Sequence, residues 1–151
     1  MITIRRAELA DIDAVTTMFM QYLAFQKQTH TEQTAREFLT ARLTQNQSII
    51  FMAEVDGSLV GLAQVYPVFS SVSLLPAWIL NDLYVTESAR GTGAGRALLE
   101  EVISQAQKIN AAYVTLETCE DNHRAQQLYE TAGFTLDPET RNYTKSTKVA
   151  S

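Results

Sequence analysis

The chain has 151 residues, of which 46% are hydrophobic and 19% charged, with a formal net charge of −5 and one cysteine. This size and composition predict one domain spanning residues 1–151, large enough for a hydrophobic core. The lone Cys119 excludes an internal disulfide and a cysteine-based metal cluster, and the negative charge argues against non-specific nucleic-acid binding. With no secretory signal pattern and no apolar run of membrane-spanning length, we expect a cytoplasmic protein without membrane contact.

Strand-like and helix-like segments alternate along the sequence. Asp11 can cap a helix whose apolar face comprises Ile12, Val15, Met18, Phe19, Tyr22 and Leu23. Asp56 and Gly57 are typical of a two-residue hairpin turn. In chain order we predict a strand at residues 2–6, a helix from residue 12, a helix at 34–43, strands at 49–55 and 59–66, a serine-rich loop at 67–76, a strand at 78–85, a helix at 93–109, a strand at 112–119, a helix at 124–131, and strands at 134–136 and 142–145. This order predicts an α/β fold with one mixed sheet of about seven strands flanked by about four helices.

A glycine-rich segment, Arg90-Gly91-Thr92-Gly93-Ala94-Gly95, joins a predicted strand to a predicted helix. Glycines let the backbone approach a ligand closely, and the N-terminus of a helix carries partial positive charge. Together these features predict a site for a phosphate or pyrophosphate group. The alternative from this segment alone is a glycine-rich turn that binds nothing.

Spacing excludes two common phosphate motifs. No lysine follows the glycines as a Walker P-loop requires, and the last position of a Rossmann fingerprint would be Arg96 or Leu98. What remains is Arg-x-x-Gly-x-Gly/Ala, filled by Arg90, Gly93 and Gly95. This resembles the pyrophosphate loop of the GNAT N-acetyltransferase superfamily, and the resemblance implies acetyl-CoA as co-substrate.

A second motif lies downstream in the expected order. The segment Asn122-x-x-Ala125-x-x-Leu128-Tyr129-x-x-x-Gly133-Phe134 resembles the other GNAT signature. Segments 66–73 and 78–85 resemble a small bacterial branch near the histone and polyamine acetyltransferases. Within the second segment, Asp82-Leu83-Tyr84-Val85 is similar to the corresponding strand of spermidine/spermine acetyltransferases. The resemblance implies a single-domain GNAT-like fold.

The resemblance also implies roles for individual residues. The cofactor would contact the end of one strand, the glycine loop with the helix start, and the second motif, at Leu83, Tyr84, Val85, Arg90, Gly91, Thr92, Gly93, Ala94, Gly95, Arg96, Asn122, Ala125 and Tyr129. Tyr129 stands where the family carries its tyrosine general acid, a role that suits a phenol, and its alternative is simple packing. Asn122 would lie near the pantetheine, or would cap a helix.

Two carboxylates, Glu117 and Asp82, are candidates for the general base. Glu117 lies near the end of the strand at 112–119, where strand alternation would turn it to the face opposite Leu116. Asp82 is the alternative, although Asn81 stands where polyamine enzymes carry Glu. We expect Glu117 to be the base. No metal site is expected, because neither His30 nor His123 is grouped with other metal-ligating residues in the sequence.

These observations predict an acetyl-CoA-dependent N-acetyltransferase that acylates a primary amine, on a small molecule or peptide, by direct transfer in a ternary complex. The alternative is a catalytically inactive CoA-binding sensor or partner protein of the same fold. A homodimer is expected from the resemblance and from the short polar segment around Tyr143, which can add to the sheet edge of a partner. The sequence does not indicate which amine is acetylated.

Overall fold

The computed structural model describes residues 1–149, so the last two residues of the predicted domain lie outside the described part. Five strands are present in this part: β1 (Ile2–Arg6), β2 (Ile49–Val55), β3 (Ser58–Ser70), β4 (Leu75–Val85) and β5 (Val114–Thr115). They form one sheet in the order β1-β2-β3-β4-β5. All neighbours are antiparallel except β4 and β5, which are parallel, so the sheet is mixed as predicted.

Helices cover both faces of the sheet. They are α1 (Ile12–Phe25), α2 (Glu32–Thr44), α3 (Ala94–Lys108) and α4 (His123–Thr131). On one face Leu98 and Val102 of α3 are fully buried, and on the other Val15 of α1 and Leu39 of α2 are fully buried. Burying one such side chain contributes about 1.5–3 kcal/mol, so apolar contacts attach each helix layer to the sheet. No helix within residues 1–149 is both long and apolar enough to span a membrane.

The prediction of about seven strands was wrong for the described residues, which form five. The predicted strand at 112–119 is reduced to Val114–Thr115, and residues 134–136 and 142–145 form no strand. From residue 135 onward every described side chain is exposed, so this part of the chain has no apolar face to bury against the sheet. Asp137 instead forms a local turn, in which its Oδ1 accepts a hydrogen bond from the N–H of Glu139 (2.8 Å).

The hairpins were predicted with mixed success. Asp56 and Gly57 form the expected two-residue turn, both with positive φ (50° and 79°), and Val55 pairs with Ser58. The predicted loop at 67–76 is instead the end of a long β3–β4 hairpin, in which Ser70 pairs with Leu75. Pro67 is tolerated there because β2 pairs with β3 no further than Val65, which leaves that edge of β3 free.

Candidate active site

β4 carries a bulge beside the open edge of the sheet. Val65 pairs with Leu80 and Gln64 pairs with Asp82, so Asn81 is an extra residue on β4. β5 pairs only with Trp78 and Ile79, and within residues 1–149 β4 therefore has no strand partner on that side from Leu80 onward. The sheet thus opens next to residues 83–85, the segment that was expected to contact the cofactor.

The bulge sets the direction of the free backbone groups. The N–H of Trp78 points toward β5 and donates to Tyr113 O (3.1 Å), whereas the N–H of Thr86 points toward β3 and donates to Val60 O (2.9 Å). Because N–H groups alternate between the two sides of a strand, those of Leu83 and Val85 point to the open edge. Without the extra residue, the alternation would turn them toward β3.

The glycine loop leads into an uncapped helix N-terminus. Gly91 and Gly93 have φ of 81° and 91°, which favour glycine, and a Cβ added at either would meet no atom within 4 Å. The first intrahelical bond of α3 runs from the N–H of Ala97 to Gly93 O (3.0 Å). The N–H groups of Ala94, Gly95 and Arg96 therefore lack intrahelical acceptors, and no side chain caps them.

Gly95 differs from the other two glycines of the loop. A Cβ at this position would lie 3.3 Å from Leu128 Cδ2 and 3.7 Å from Val85 Cγ2. Gly95 therefore allows the first turn of α3 to approach α4 closely. Thr92 is turned into the loop, where its hydroxyl donates to Ala89 O (2.5 Å).

Arg90 joins the loop to α1 and β4. Its Nε donates to Val85 O (3.1 Å), and its guanidinium lies over the rings of Phe25 (5.2 Å) and Tyr84 (5.7 Å). This cation–π stacking fixes the side chain next to the free N-terminus of α3.

The second motif forms α4 on the opposite wall. Asn122 Oδ1 accepts a hydrogen bond from the N–H of Ala125 (3.2 Å), so the structure contains the helix cap that was one of its two predicted roles. Tyr129 is half-buried and its ring meets Phe134 edge-on at 6.1 Å. Burial raises the pKa of the Tyr129 phenol, which keeps it protonated at neutral pH.

The two candidate bases lie in different surroundings. Asp82 is buried, with its oxygens accepting from Gln64 Nε2 (2.8 Å) and Asn81 Nδ2 (3.2 Å). Glu117 is exposed and its Oε1 accepts from Asn142 Nδ2 (2.8 Å). Because β5 ends at Thr115, Glu117 lies beyond the strand, and strand alternation does not fix its direction as predicted.

These elements surround one cleft with a volume of about 720 Å³. Its wall includes every residue expected to bind the cofactor except Thr92, and it also includes Glu117. Asp82 does not line the cleft, whereas its neighbour Asn81 does. The sequence analysis missed Tyr22 and Phe25, which line the cleft from α1: Tyr22 was interpreted as part of an apolar helix face, and Phe25 was not singled out. Within residues 1–149 no three His, Cys, Asp or Glu side chains are grouped so that they could hold a metal ion.

Comparison with known proteins identifies the family. The model of the acetyltransferase (GNAT) family matches residues 12–134. The chain belongs to the GNAT acetyltransferase family. It is 42% identical over 134 residues to an uncharacterized N-acetyltransferase, YhfO, of Bacillus subtilis, covering 89% of this chain and 90% of that protein.

Two further relatives support the fold and the enzyme class. A solved structure of a probable acetyltransferase superposes with a TM-score of 0.94 at 36% identity, covering 98% of this chain and 99% of the other. The D-amino-acid N-acetyltransferase HPA3 of Saccharomyces cerevisiae is 31% identical over 140 residues, covering 90% of this chain and 86% of that protein. The chain is thus an N-acetyltransferase of the GNAT family with a GNAT α/β fold, as the two sequence motifs predicted.

Proposed function

We propose that this GNAT enzyme transfers an acetyl group from acetyl-CoA to a primary amine by direct attack in a ternary complex. One observation carries the proposal: a single cleft joins a free helix N-terminus to an open strand edge whose N–H groups face it. The first feature suits a pyrophosphate, and the second suits an amide-bearing chain that ends in a thioester.

The pyrophosphate would lie at the N-terminus of α3. The free N–H groups of Ala94, Gly95 and Arg96 can donate to its oxygens, and the positive end of the helix favours its charge. Three arginines, Arg90, Arg96 and Arg124, line the same cleft of a chain whose net charge is −5. This local positive charge supports an anionic ligand.

The open edge of β4 would hold the pantetheine arm and the thioester. Its free N–H and C=O groups can pair with the amides of the arm as a neighbouring strand would. An N–H from Leu83 or Val85 directed at the thioester oxygen would stabilise the charge that develops when the amine attacks. Ala125 and Asn122 would contact the arm from α4.

Proton transfer would use side chains of the same cleft. Tyr129, held protonated by burial, would donate to the departing thiolate. Two carboxylates are candidates for the proton of the amine, Glu117 on the cleft wall and Asp82 behind it.

A primary amine on a small molecule or peptide is the proposed acceptor. D-amino acids belong in the substrate panel because HPA3, a relative at 31% identity, bears that activity in its name. Polyamines belong there because residues 82–85 resemble the polyamine enzymes, although Asn81 departs from their Glu. We propose that the enzyme works in the cytoplasm as a homodimer.

A pair of glycine variants tests the cofactor site. Gly91 and Gly57 have nearly equal φ (81° and 79°), and a side chain introduced at either position would meet no atom within 4 Å of its Cβ. Gly91 lines the cleft, whereas Gly57 lies in the β2–β3 turn. Gly91→Glu and Gly57→Glu therefore introduce the same charge and the same backbone strain in different places.

We expect Gly91→Glu to weaken acetyl-CoA binding, measured by calorimetric titration, by at least about 10-fold because like charges repel at close range. Gly57→Glu should bind like the wild type, and both variants should lose similar thermal stability. Equal affinities for the two variants would contradict the assignment of this loop. Release of free thiol that requires both the enzyme and an acceptor amine, measured over the amine panel, tests the transfer itself.

A further inference from the structure

Tyr22 presents its ring to the cleft from α1. The ring is held by Phe19 (centroids 5.6 Å apart) and by Tyr84 of β4 (6.0 Å, edge-on). Tyr129 lines the same cleft from α4. Two tyrosines therefore reach the proposed reaction space from different helices, and the proposed function uses only one of them.

Asp82 is only 6% exposed and does not line the cleft. It shares a face of β4 with Tyr84, the residue on which the Tyr22 ring packs. Its hydrogen bonds come from two neutral amides, Gln64 and Asn81, and no cation in residues 1–149 forms an ion pair with it. Burying a carboxylate without a cation is costly, so a purely structural role gives no reason to keep it.

Gln64 adds to this unbalanced polar cluster. It is fully buried, its Nε2 donates to Asp82, and its Oε1 has no donor. The buried side chains of Gln64 and Asp82 thus contain more hydrogen-bond acceptor atoms than there are donors to satisfy them. Such a cluster is suited to receive a proton.

We propose that the Tyr22 hydroxyl relays the proton of the acceptor ammonium to Asp82, so that Tyr22 is a catalytic residue and Asp82 the proton acceptor behind it. This inference rests on the proposed function. It differs from the expectation that Glu117 is the base: Glu117 is solvent-exposed and already accepts a hydrogen bond from Asn142.

Every proton of the proposed reaction is accounted for by the two substrates and by Tyr22, Asp82 and Tyr129. The ammonium nitrogen gives one proton to the Tyr22 oxygen while the Tyr22 proton moves to an Asp82 oxygen. The free amine forms the C–N bond, the C–S bond breaks, and Tyr129 protonates the sulfur. The second nitrogen proton restores Tyr129, and Asp82 later releases its proton to solvent through Tyr22.

The groups around Tyr22 are consistent with a relay rather than an independent base. Burial raises the pKa of Tyr22, and the nearby charge of Asp82 and the Tyr129 and Tyr66 phenols raise it further. Tyr22 therefore stays protonated and passes a proton on only because Asp82 accepts one. The other titratable side chains that face it or share its cleft are Tyr84, Arg90, Arg96, Glu117, Cys119 and Arg124.

Tyr22→Phe tests the relay because it keeps the ring contacts and removes only the hydroxyl. Tyr66→Phe is the matched control: burial and the nearby charge of Asp82 raise the pKa of Tyr66 to about 12, but Tyr66 does not line the cleft. With the best amine of the panel, Tyr22→Phe should lower kcat by about 100-fold or more and leave acetyl-CoA affinity unchanged. Its rate should go on rising with pH toward the pKa of the amine, where the wild-type rate has levelled off.

The variants Asp82→Asn and Tyr22→Phe/Asp82→Asn complete the test. If the two residues act as one path, the double variant should be no slower than the slower single variant. Wild-type kcat and pH profile in Tyr22→Phe, or effects that multiply in the double variant, would overturn the relay. So would a pH profile altered by Glu117→Gln and not by Tyr22→Phe. If wild-type enzyme acetylates no amine, the proposed function fails instead, and the two failures are distinguishable.

Discussion

At the residue scale, Tyr129 has the surroundings that a general acid needs. It lines the cleft, and burial keeps its phenol protonated. Tyr129→Phe removes the hydroxyl and retains the edge-on contact with Phe134. We expect kcat to fall by about 100-fold with little change in acetyl-CoA affinity, measured by thiol release and by calorimetric titration.

Tyr113→Phe is the control for this change, because Tyr113 is a half-exposed tyrosine outside the cleft. Its turnover should equal that of the wild type. Turnover of Tyr129→Phe within about twofold of wild type would mean that the tyrosine only packs and that the thiolate leaves unaided.

Which residues line the cleft was predictable where a family motif specifies them and not where a side chain also packs in an apolar helix face. Arg90, Gly93 and Tyr129 were found by spacing, and all three line the cleft. Tyr22 was interpreted as part of an apolar helix face, and its ring does pack on Phe19. Only the fold brings it near Asp82, which shares a face of β4 with its ring partner Tyr84, since Tyr22 and Asp82 are 60 positions apart in the sequence.

At the element scale, α4 depends on its cap. Asn122 Oδ1 bonds the N–H of Ala125, and Asn122 also lines the cleft, so capping and ligand binding are separable by substitution. Asn122→Asp keeps the capping oxygen and removes the amide donor, whereas Asn122→Ala removes both. We expect Asn122→Ala to lose about 1 kcal/mol in the free energy of unfolding and Asn122→Asp to lose almost none.

Acetyl-CoA affinity tests the second proposed role of Asn122, which is contact with the pantetheine arm. If its amide contacts the pantetheine, both variants should bind acetyl-CoA more weakly than wild type. Wild-type affinity in Asn122→Asp would leave the residue as a helix cap alone. Denaturant unfolding and calorimetric titration measure the two quantities independently.

Elements with a buried face were predictable, and those without one were not. β2 and α3 were predicted nearly to their ends, because each buries an apolar face. The strand predicted at 112–119 stops at Thr115, where the sheet opens. The bulge at Asn81 gave no sequence signal, because it arises from the pairing of β4 with β3 and not from the residues of β4 alone.

At the scale of the whole molecule, the site is assembled from segments far apart in the chain. Residues 81–85, 90–96 and 122–129 meet with α1 around one cleft. The sequence analysis identified the first three segments through the family motifs. The contribution of α1 follows from packing on the other face of the sheet and carries no motif.

The C-terminal segment, residues 135–149, is exposed and contains no helix or strand. Leu136 and Tyr143 are 87% and 84% exposed, and the segment adds no strand to the sheet. β5, two residues long, is the last strand on its side of the sheet within residues 1–149. An unpaired sheet edge and an exposed segment that carries large apolar side chains together favour pairing between two copies of the chain.

We therefore expect light scattering to give the mass of a dimer at micromolar concentration. Tyr143→Asp should shift the enzyme toward the monomer, because a charge opposes burial of this segment against a partner. Val72→Asp places the same charge on a 98% exposed apolar residue in the β3–β4 turn and should leave the mass unchanged. A monomeric wild type would refute the dimer, and dissociation by Val72→Asp alone would move the interface to the β3–β4 hairpin.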